Sequence, residues 1–446
     1  PKTYYIDSEN GNDNNSGIAL GQSWQSLNKV NALDLQSGDE ILLAQGQTFF
    51  GSLELRNTHG TADSPIKISS YSPNDEGQDG KASINAKGYL NGILLENCSH
   101  IEVSNLLITA NGGGVGDDKI EKVGMRCGVL IKATTSGSYN HISLKNLTIK
   151  DIFYEEEGFK RPKGEVKTAN GTQSYGWGIR VINNAKGAFL KDLIIQSCVV
   201  ENVSHTGIKL TSRYKGQNFN ISNLNAANER IYGVQNFKIE NNKVLKTGGP
   251  GIQMSGVKDG HIHDNYVDHS GSNDDSRKWG RGSGLWTWGS SDILIEKNHF
   301  LNANGPGDSA GAHIDFNCTN VVLQYNFSAN NAGGFCEILG SNYNCAYRYN
   351  ISVNDGYRLK GVDGAFQEGK TFWLSGFSGK QKKRQGPFNS YFYNNTIYVS
   401  EDIISKIAVD KATSGALLAN NIFYIKGDAK VVLGDQYNPE KAGISK

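Results

Sequence analysis

The chain has 446 residues, and its 45 Lys and Arg against 44 Asp and Glu leave a formal charge of +1. It contains 54 Gly and 47 Asn but only 8 Pro and 2 Met, which excludes helical bundles and doubly wound folds, since these need more Ala, Leu, Met and Glu. The near-neutral charge argues against nucleic acid as a partner. No apolar run approaches the roughly 18 residues of a membrane span, so we expect no membrane partner either.

Residues 1–60 carry the pattern expected for the N-terminal cap and first rung of a stacked β structure. A strand begins at Tyr4-Tyr5-Ile6, a polar loop follows, and Gly38-Asp39-Glu40-Ile41-Leu42-Leu43 leads into the first rung. A short element must cover the exposed end of the core here. The chain starts at Pro1 without a Met, so we expect a mature secreted, periplasmic or cell-surface protein.

A short strand with alternating apolar residues, an Asn and a second short strand recur along the chain. The marker residues are Asn105, Asn146, Asn242, Asn265, Asn298, Asn326, Asn350, Asn395 and Asn421. Such a unit cannot bury its apolar face alone, so it must stack on copies of itself. An Asn at a constant turn position suits a left-handed or bridge conformation, with side chains hydrogen-bonded along the stack.

This repeat predicts an all-β, single-domain parallel β-helix over residues 1–446. Rungs are expected over residues 61–426 and a C-terminal closure over residues 427–446. Three insertions, at residues 153–177, 270–283 and 361–390, are expected to be loops that line a groove. The 6 Cys residues include no closely spaced pair, so we interpret them as buried apolar side chains.

From residue 178 onward, most rungs have a second strand that begins soon after a Gly. Its apolar residues should point inward, so the residue between them points outward. Stacked rungs lie about 4.8 Å apart, so these outward side chains form one line. The line consists of Arg180, Lys209, Gln253, Trp286 and Trp288, His313 and Asp315, Glu337, and Arg358 and Lys360.

This line predicts a carbohydrate-binding groove, because indole rings stack on sugars and Arg or Lys bind anionic groups. Asp315 and Glu337 lie on adjacent rungs, with carboxyl groups roughly 5–9 Å apart, and form the candidate catalytic pair. His313 is a candidate third catalytic residue, and Asp308, in a neighbouring glycine-rich loop, is a reserve carboxylate. The insertions mix cations with aromatic residues, among them Trp279, which suits an anionic sugar polymer.

The segments Tyr4-Tyr5-Ile6-Asp7, Trp24 and Gly38-Asp39-Glu40, together with the Asn-marked rungs, resemble the secreted right-handed parallel β-helix enzymes of the pectate-lyase-like superfamily. The Asn-, Lys- and Asp-rich composition also resembles β-helical hydrolases of marine sulfated polysaccharides, such as endo-fucanases and carrageenases. The resemblance implies a right-handed β-helix and a lyase, hydrolase or epimerase of acidic polymers. It assigns no catalytic residue.

We therefore expect a glycoside hydrolase that cleaves an anionic, sulfated polysaccharide, with Asp315 and Glu337 as the acid and the base or nucleophile. One alternative is a lyase that uses Lys209, Arg180, His205, Arg358 or Lys360 for β-elimination. A second alternative is a carbohydrate-binding adhesin without catalysis. We expect a monomer that needs no cofactor or catalytic metal, and a structural calcium ion stays an open alternative.

Overall fold

A computed structural model describes residues 1–73, 80–114, 125–212, 214–219 and 223–432 of the chain. Its strands, numbered β1 to β37 in chain order, pair in parallel and form three long sheets, which we name A, B and C. Sheet A contains β1 (Thr3–Ile6), β2 (Glu40–Ala44), β5 (Ile66–Tyr71), β8 (Ile101–Ser104), β11 (Gly137–Lys145), β14 (Ala188–Gln196), β17 (Val234–Glu240), β20 (Val257–His263), β23 (Ser291–Glu296), β26 (Thr319–Gln324), β29 (Ala346–Arg348), β32 (Tyr391–Tyr393) and β35 (Leu417–Ala419).

Sheet B follows sheet A in each turn of the chain. It contains β3 (Thr48–Phe50), β6 (Ala82–Asn85), β9 (Leu106–Asn111), β12 (Thr148–Phe153), β15 (Val199–Val203), β18 (Lys243–Thr247), β21 (Tyr266–Asp268), β24 (His299–Leu301), β27 (Phe327–Ala329), β30 (Ile351–Val353), β33 (Thr396–Val399) and β36 (Ile422–Ile425).

Sheet C completes each turn and carries the predicted outward line. It contains β4 (Leu53–Arg56), β7 (Asn91–Glu96), β10 (Met125–Ala133), β13 (Tyr175–Asn183), β16 (Ile208–Ser212), β19 (Ile252–Ser255), β22 (Leu285–Trp288), β25 (Ala312–Ile314), β28 (Gly334–Ile338), β31 (Lys370–Leu374), β34 (Ser405–Val409) and β37 (Ala429–Val431). Each rung contributes one strand to each of the three sheets, and the rungs stack on one another, so the predicted all-β parallel β-helix is confirmed.

The core of the solenoid is a column of apolar side chains that alternate inward along the strands, except at the exposed C-terminal strands β35 to β37. Ile252, Leu285 and Ala312, for example, lie directly above one another on neighbouring rungs and are fully buried. Complete burial of a Leu or Ile side chain contributes about 1.5–3 kcal/mol, so stacking supplies the stability that one rung lacks. All six Cys residues are buried, as the sequence predicts, and none of them forms a disulfide, an alternative that the sequence had left open.

The N-terminal end of the column is closed by a short α-helix, α1 (Leu27–Asn31), whose Leu27 and Val30 are buried. The other helical elements are α2 (Leu224–Asn228) and the 3-10 turns Leu20–Gln22 and Glu165–Lys167. None of the helices in the described ranges is long and apolar enough to span a membrane. Of the predicted C-terminal closure, β37 pairs with β34, and residues 433–446 lie outside the described residues.

The marker asparagines form a buried ladder at the turn between sheets A and B. The side-chain amide of Asn242 donates to Oδ1 of Asn265 at 2.9 Å, and that of Asn265 donates to Oδ1 of Asn298 at 2.9 Å. The ladder continues in the same way through Asn326, Asn350, Asn395 and Asn421. The prediction that these side chains bond along the stack is confirmed.

The left-handed residue of this turn is the one before the ladder asparagine. Asp264 and Lys297, for example, have φ angles of 54° and 55°. Asn105 and Asn146 occupy this preceding position themselves, with φ angles of 55° and 51°, and buried leucines follow them. The marker asparagines of the sequence therefore occupy two adjacent positions of the turn. The first position favours Asn because Asn tolerates a positive φ angle, and the second favours it because its side chain forms hydrogen bonds along the stack.

Candidate active site

The outward face of sheet C carries the line of side chains that alternation predicts. Strand register places Arg180, Lys209, Gln253, Trp286 and His313 opposite one another on five successive rungs. The register of β25, β28 and β31 continues this line to Glu337 and Trp373. Trp288 lies on β22 two residues after Trp286, and Asp315 directly follows β25, two residues after His313.

Loops between sheets B and C cover much of this face, so the line is a buried floor. Lys209 is 7% exposed, Gln253 is 1% exposed and Glu337 is 8% exposed. The segments around residues 153–177 and 270–283 contact each other over the floor, where the indole nitrogen of Trp279 donates to the carbonyl of Glu165 at 3.1 Å. Side chains that would be solvated on an open sheet therefore sit in a water-poor cleft.

Three predicted binding residues occupy other places. Arg358 and Lys360 lie in the loop before β31. They were expected on a strand because Gly356-Tyr-Arg358 has the Gly-led pattern of the neighbouring rungs. The next strand of sheet C is Lys370–Leu374, inside the segment 361–390 that was expected to be a loop. Arg358 is buried and donates to the backbone carbonyls of Gln367, Gly305 and Asp308, and Lys360 is exposed away from the floor.

Trp279 is the third of these residues. It is buried and its ring stacks on His205 at 4.7 Å, within the packed layer that supports the loops. His205 is fully buried between Trp177 and Trp279, and its ring nitrogens bond to Thr206 and the carbonyl of Asn170. The proposed base of a lyase at His205 therefore lacks access to a substrate.

Asp308 is held in a strained loop between β24 and β25. Asp308 and Ser309 both have positive φ angles, 47° and 65°, a conformation that costs energy and is concentrated at functional sites. The guanidinium of Arg281 donates to both oxygens of Asp308 at 2.8 Å. Burial alone would raise the pKa of Asp308, but the charge and the hydrogen bonds of Arg281, together with weaker contributions that include the charge of Arg358, hold that pKa below its usual value. Asp308 is therefore ionised near neutral pH.

Asp315 lies in the opposite electrostatic environment. It follows β25, is half-buried, and its carboxylate accepts one hydrogen bond, from the backbone N–H of Phe316 at 2.8 Å. Burial raises the pKa of Asp315 to about 7, with the negative charge of Asp308 acting in the same direction. Asp315 therefore holds a proton at a pH where Asp308 has lost its own.

His313 and Glu337 lie side by side between these two carboxyl groups and β31. His313 stacks on Trp286 with ring centres 6.0 Å apart, shares a hydrogen bond with the Ser283 hydroxyl at 3.1 Å, and has its pKa lowered by burial to about 4. Burial raises the pKa of Glu337, an effect that Lys370 opposes and Asp315 strengthens. His313 is therefore neutral near pH 7 and carries no positive charge for an anionic substrate.

Several buried polar atoms at this site have no hydrogen-bond partner within the described part of the chain. They are Oε1 of Gln253, Nε1 of Trp288, Nζ of Lys370 and Nε2 of Gln367. Native proteins leave few such atoms, because each costs about 1–3 kcal/mol. A bound molecule that carries both donors and acceptors would satisfy them.

Sequence reasoning missed Lys370 and Gln367 and saw Arg281 and Trp373 only as members of loops. The alternation in Lys370-Thr371-Phe372-Trp373-Leu374 was the available signal for this rung. The pairing of Arg281 with Asp308 had none, because it depends on how two loops fold over the sheet.

The comparisons with known proteins agree with this architecture. A family described as right handed beta helix region matches residues 211–397. A curated lacto-N-biosidase from Bifidobacterium longum is 28% identical over 94% of this chain, and the chain spans only 28% of the length of that relative. The match to a glycosidase agrees with the hydrolase expectation, and neither of these names refers to a sulfated substrate.

Solved structures give the same fold. A lacto-N-biosidase of family GH136 from Eubacterium ramulus superimposes with a TM-score of 0.71 and 23% identity, over 95% of this chain and 68% of that one. The A-module of a mannuronan C-5 epimerase from Azotobacter vinelandii has a TM-score of 0.51 and 12% identity, over 88% and 87% of the two chains. The fold of this chain is thus a right-handed parallel β-helix.

Proposed function

We propose that this chain is a glycoside hydrolase that cleaves an uncharged oligosaccharide, with Asp315 as the general acid and Asp308 as the ionised carboxylate. The observation that carries the proposal is that two carboxyl groups at one site have their pKa values displaced in opposite directions. Such a split assigns the acid and base roles in glycosidases. Similarity to a lacto-N-biosidase supports the same class.

In the proposed reaction, the proton of Asp315 is delivered to the glycosidic oxygen as the bond to the anomeric carbon breaks. The carboxylate of Asp308 either attacks the anomeric carbon or activates a water that does so. In the first case a water, deprotonated by Asp315, then breaks the covalent bond between Asp308 and the sugar and releases the product. Arg281 keeps Asp308 ionised and fixes its orientation through two hydrogen bonds. Asp308 thereby replaces Glu337 as the partner of Asp315, because Arg281 holds Asp308 ionised and oriented, whereas the charge of Lys370 acts on Glu337.

An uncharged substrate suits this site better than the sulfated polymer expected from the sequence. Arg281 is bound to Asp308, and Arg358 is bound to three backbone carbonyls. A sulfate placed on the floor would lie close to the ionised carboxylate of Asp308, and the repulsion and the desolvation of both charges would oppose binding. We therefore propose a lacto-N-bioside, the substrate class in the name of the relative, as the first compound to assay.

The test is a panel of substrates incubated with the protein: a glycan that ends in an unactivated lacto-N-bioside, sulfated fucan, carrageenan, alginate and pectate. Release of a saccharide from the lacto-N-bioside alone, lost in Asp315→Asn, supports the proposal. New reducing ends from fucan or carrageenan would overturn the uncharged substrate. An unsaturated product from alginate or pectate would establish the lyase alternative, and binding without any product would establish the adhesin.

A further inference from the structure

Lys370 is a buried cation whose Nζ atom makes no hydrogen bond within the described residues. It begins β31, is 3% exposed, and its Nζ atom lies 4.1 Å from the centre of the Trp373 ring. A buried ammonium group with unused donors is costly, so its retention at a cleft indicates that a ligand supplies the acceptors.

Of the two carboxylates whose charge acts on Lys370, Glu337 is the one that is not paired with another cation. The other nearby carboxylate, Glu368, forms an ion pair with Lys406 at 3.0 Å and accepts the backbone N–H of Lys360 at 2.8 Å. Lys406 also donates to the carbonyl of Arg358 at 2.9 Å. Burial lowers the pKa of Lys370 while the charge of Glu337 raises it, so the two side chains interact electrostatically.

The chemistry of this pair selects the ligand. A hydroxyl group can accept a hydrogen bond from the Lys370 ammonium and donate its own proton to the Glu337 carboxylate. A sulfate or carboxylate would satisfy Lys370 but would be repelled by Glu337. Strand register places Glu337 beside His313, one rung from Asp315, so the hydroxyl belongs to a sugar ring bound next to the bond that is cleaved.

We propose that Lys370 and Glu337 form a subsite that binds one hydroxyl group of the sugar next to the scissile bond and so determines which sugar the site accepts. This inference rests on the proposed function, because it takes the substrate to be an uncharged saccharide. In it, Lys370 is a binding residue, and the proton transfers stay with Asp315 and Asp308.

The test combines Lys370→Met with a series of monodeoxy p-nitrophenyl lacto-N-biosides. Hydrogen bonds to a charged group account for roughly 10- to 100-fold in binding, so we expect KM to rise by about that factor while kcat changes little. One monodeoxy compound should lose the same factor with the unaltered protein and lose almost nothing further with Lys370→Met. Lys382→Met, in an exposed loop, is the matched control and should behave as the unaltered protein does.

Two results would overturn the inference: an unchanged KM in Lys370→Met, or equal losses for every deoxy compound in both proteins. If Lys370→Met fails to fold, Glu337→Gln is measured with the same series, and its failure to remove the preference for one hydroxyl is equally contrary. Calorimetric binding of free lacto-N-biose to Asp315→Asn, with and without Lys370→Met, separates the two proposals. Weaker binding in the double variant supports the subsite even if no glycan is cleaved, and cleavage with unchanged binding supports only the hydrolase.

Discussion

The solenoid buries polar side chains in two lines, the asparagine ladder and the floor of sheet C. The two lines differ in whether the buried donors and acceptors have hydrogen-bond partners. In the asparagine ladder between sheets A and B, Asn298 donates to the carbonyl of Ile262 at 3.0 Å and to Asn326 at 3.1 Å, and accepts from the backbone and side chain of Asn265 at 2.9 Å. On the floor of sheet C, Gln253 and Lys370 keep buried atoms without partners in the described part of the chain. The ladder stabilises the stack of rungs, whereas we propose that the unpaired atoms of the floor bind a ligand.

This difference separates structural from functional polar residues more sharply than residue type does. Both lines repeat once per rung and both lie on regular strand or turn positions. A ladder residue has the same residue type above and below it, whereas the floor changes from Gln253 to Trp286 to His313 to Glu337. Variation between neighbouring rungs, combined with unsatisfied atoms, is the signature of the site.

The largest expected effect is on catalysis, at the floor. Asp315→Asn removes the general acid, so kcat/KM for an unactivated lacto-N-biose glycan should fall about 10²- to 10⁴-fold. Stability at neutral pH should rise, because a neutral amide replaces a buried carboxyl group whose pKa is raised to about 7. Enzyme kinetics and thermal unfolding measure the two quantities.

The matched control for this variant is Asp363→Asn, on an exposed loop, where Asn tolerates the positive φ of 49°. Its kinetics should equal those of the unaltered protein. Full activity of Asp315→Asn would remove Asp315 from the mechanism.

The next largest effect is on stability, at the ladder. Asn298→Ala leaves buried donors and acceptors of Asn265, Asn326 and Ile262 without partners, at a cost of about 3–5 kcal/mol in the free energy of unfolding. Activity per folded molecule should be retained. Asn421→Ala, at the more exposed end of the ladder, is the control and should cost less; equal costs at both positions, measured by denaturant unfolding, would contradict the ladder account.

The smallest effect concerns Asp355, a carboxylate built into a second polar stack. Asp355 accepts hydrogen bonds from the backbone and side chain of Asn331 at 2.9 and 2.8 Å, and burial raises its pKa to about 6. The folded protein therefore binds this proton more tightly than the unfolded chain does, so stability falls as the pH rises from about 4 to about 6.

Asp355→Asn should remove that dependence and stabilise the protein by about 2 kcal/mol at a pH of about 8, with little gain at a pH of about 4. Unfolding free energies of both proteins at the two pH values give the comparison. A difference that is the same at both values would mean that Asp355 is ionised without penalty.

The fold was predictable from the sequence because its signals are local. Asparagine spacing and apolar alternation specify a rung within about 25 residues, and the same alternation correctly aligned Arg180 through Glu337 on one face. The strand that begins at Lys370 was not predicted, because a long insertion precedes it and because Gly356-Tyr-Arg358 has the sequence pattern of a strand start without forming a strand.

The site was only half predictable, because its electrostatics come from distant segments. Asp308 and Asp315 are equivalent carboxylates in the sequence. Their different ionisation arises from Arg281, 27 residues before Asp308, and from burial under the loops. Cations in those loops suggested an anionic substrate, but Arg281 and Arg358 hold protein groups instead.

The most direct test of the central claim, that Asp315 is the protonated and Asp308 the ionised partner, is the pH dependence of kcat/KM on an unactivated lacto-N-biose glycan. Activity should be constant over mildly acidic pH, where Asp308 stays ionised, and should fall as the pH rises through about 7, where Asp315 loses its proton. This alkaline limb should persist in Lys370→Met. Activity that increases as the pH rises through 7 would show that Asp315 acts without its proton and would contradict the assignment.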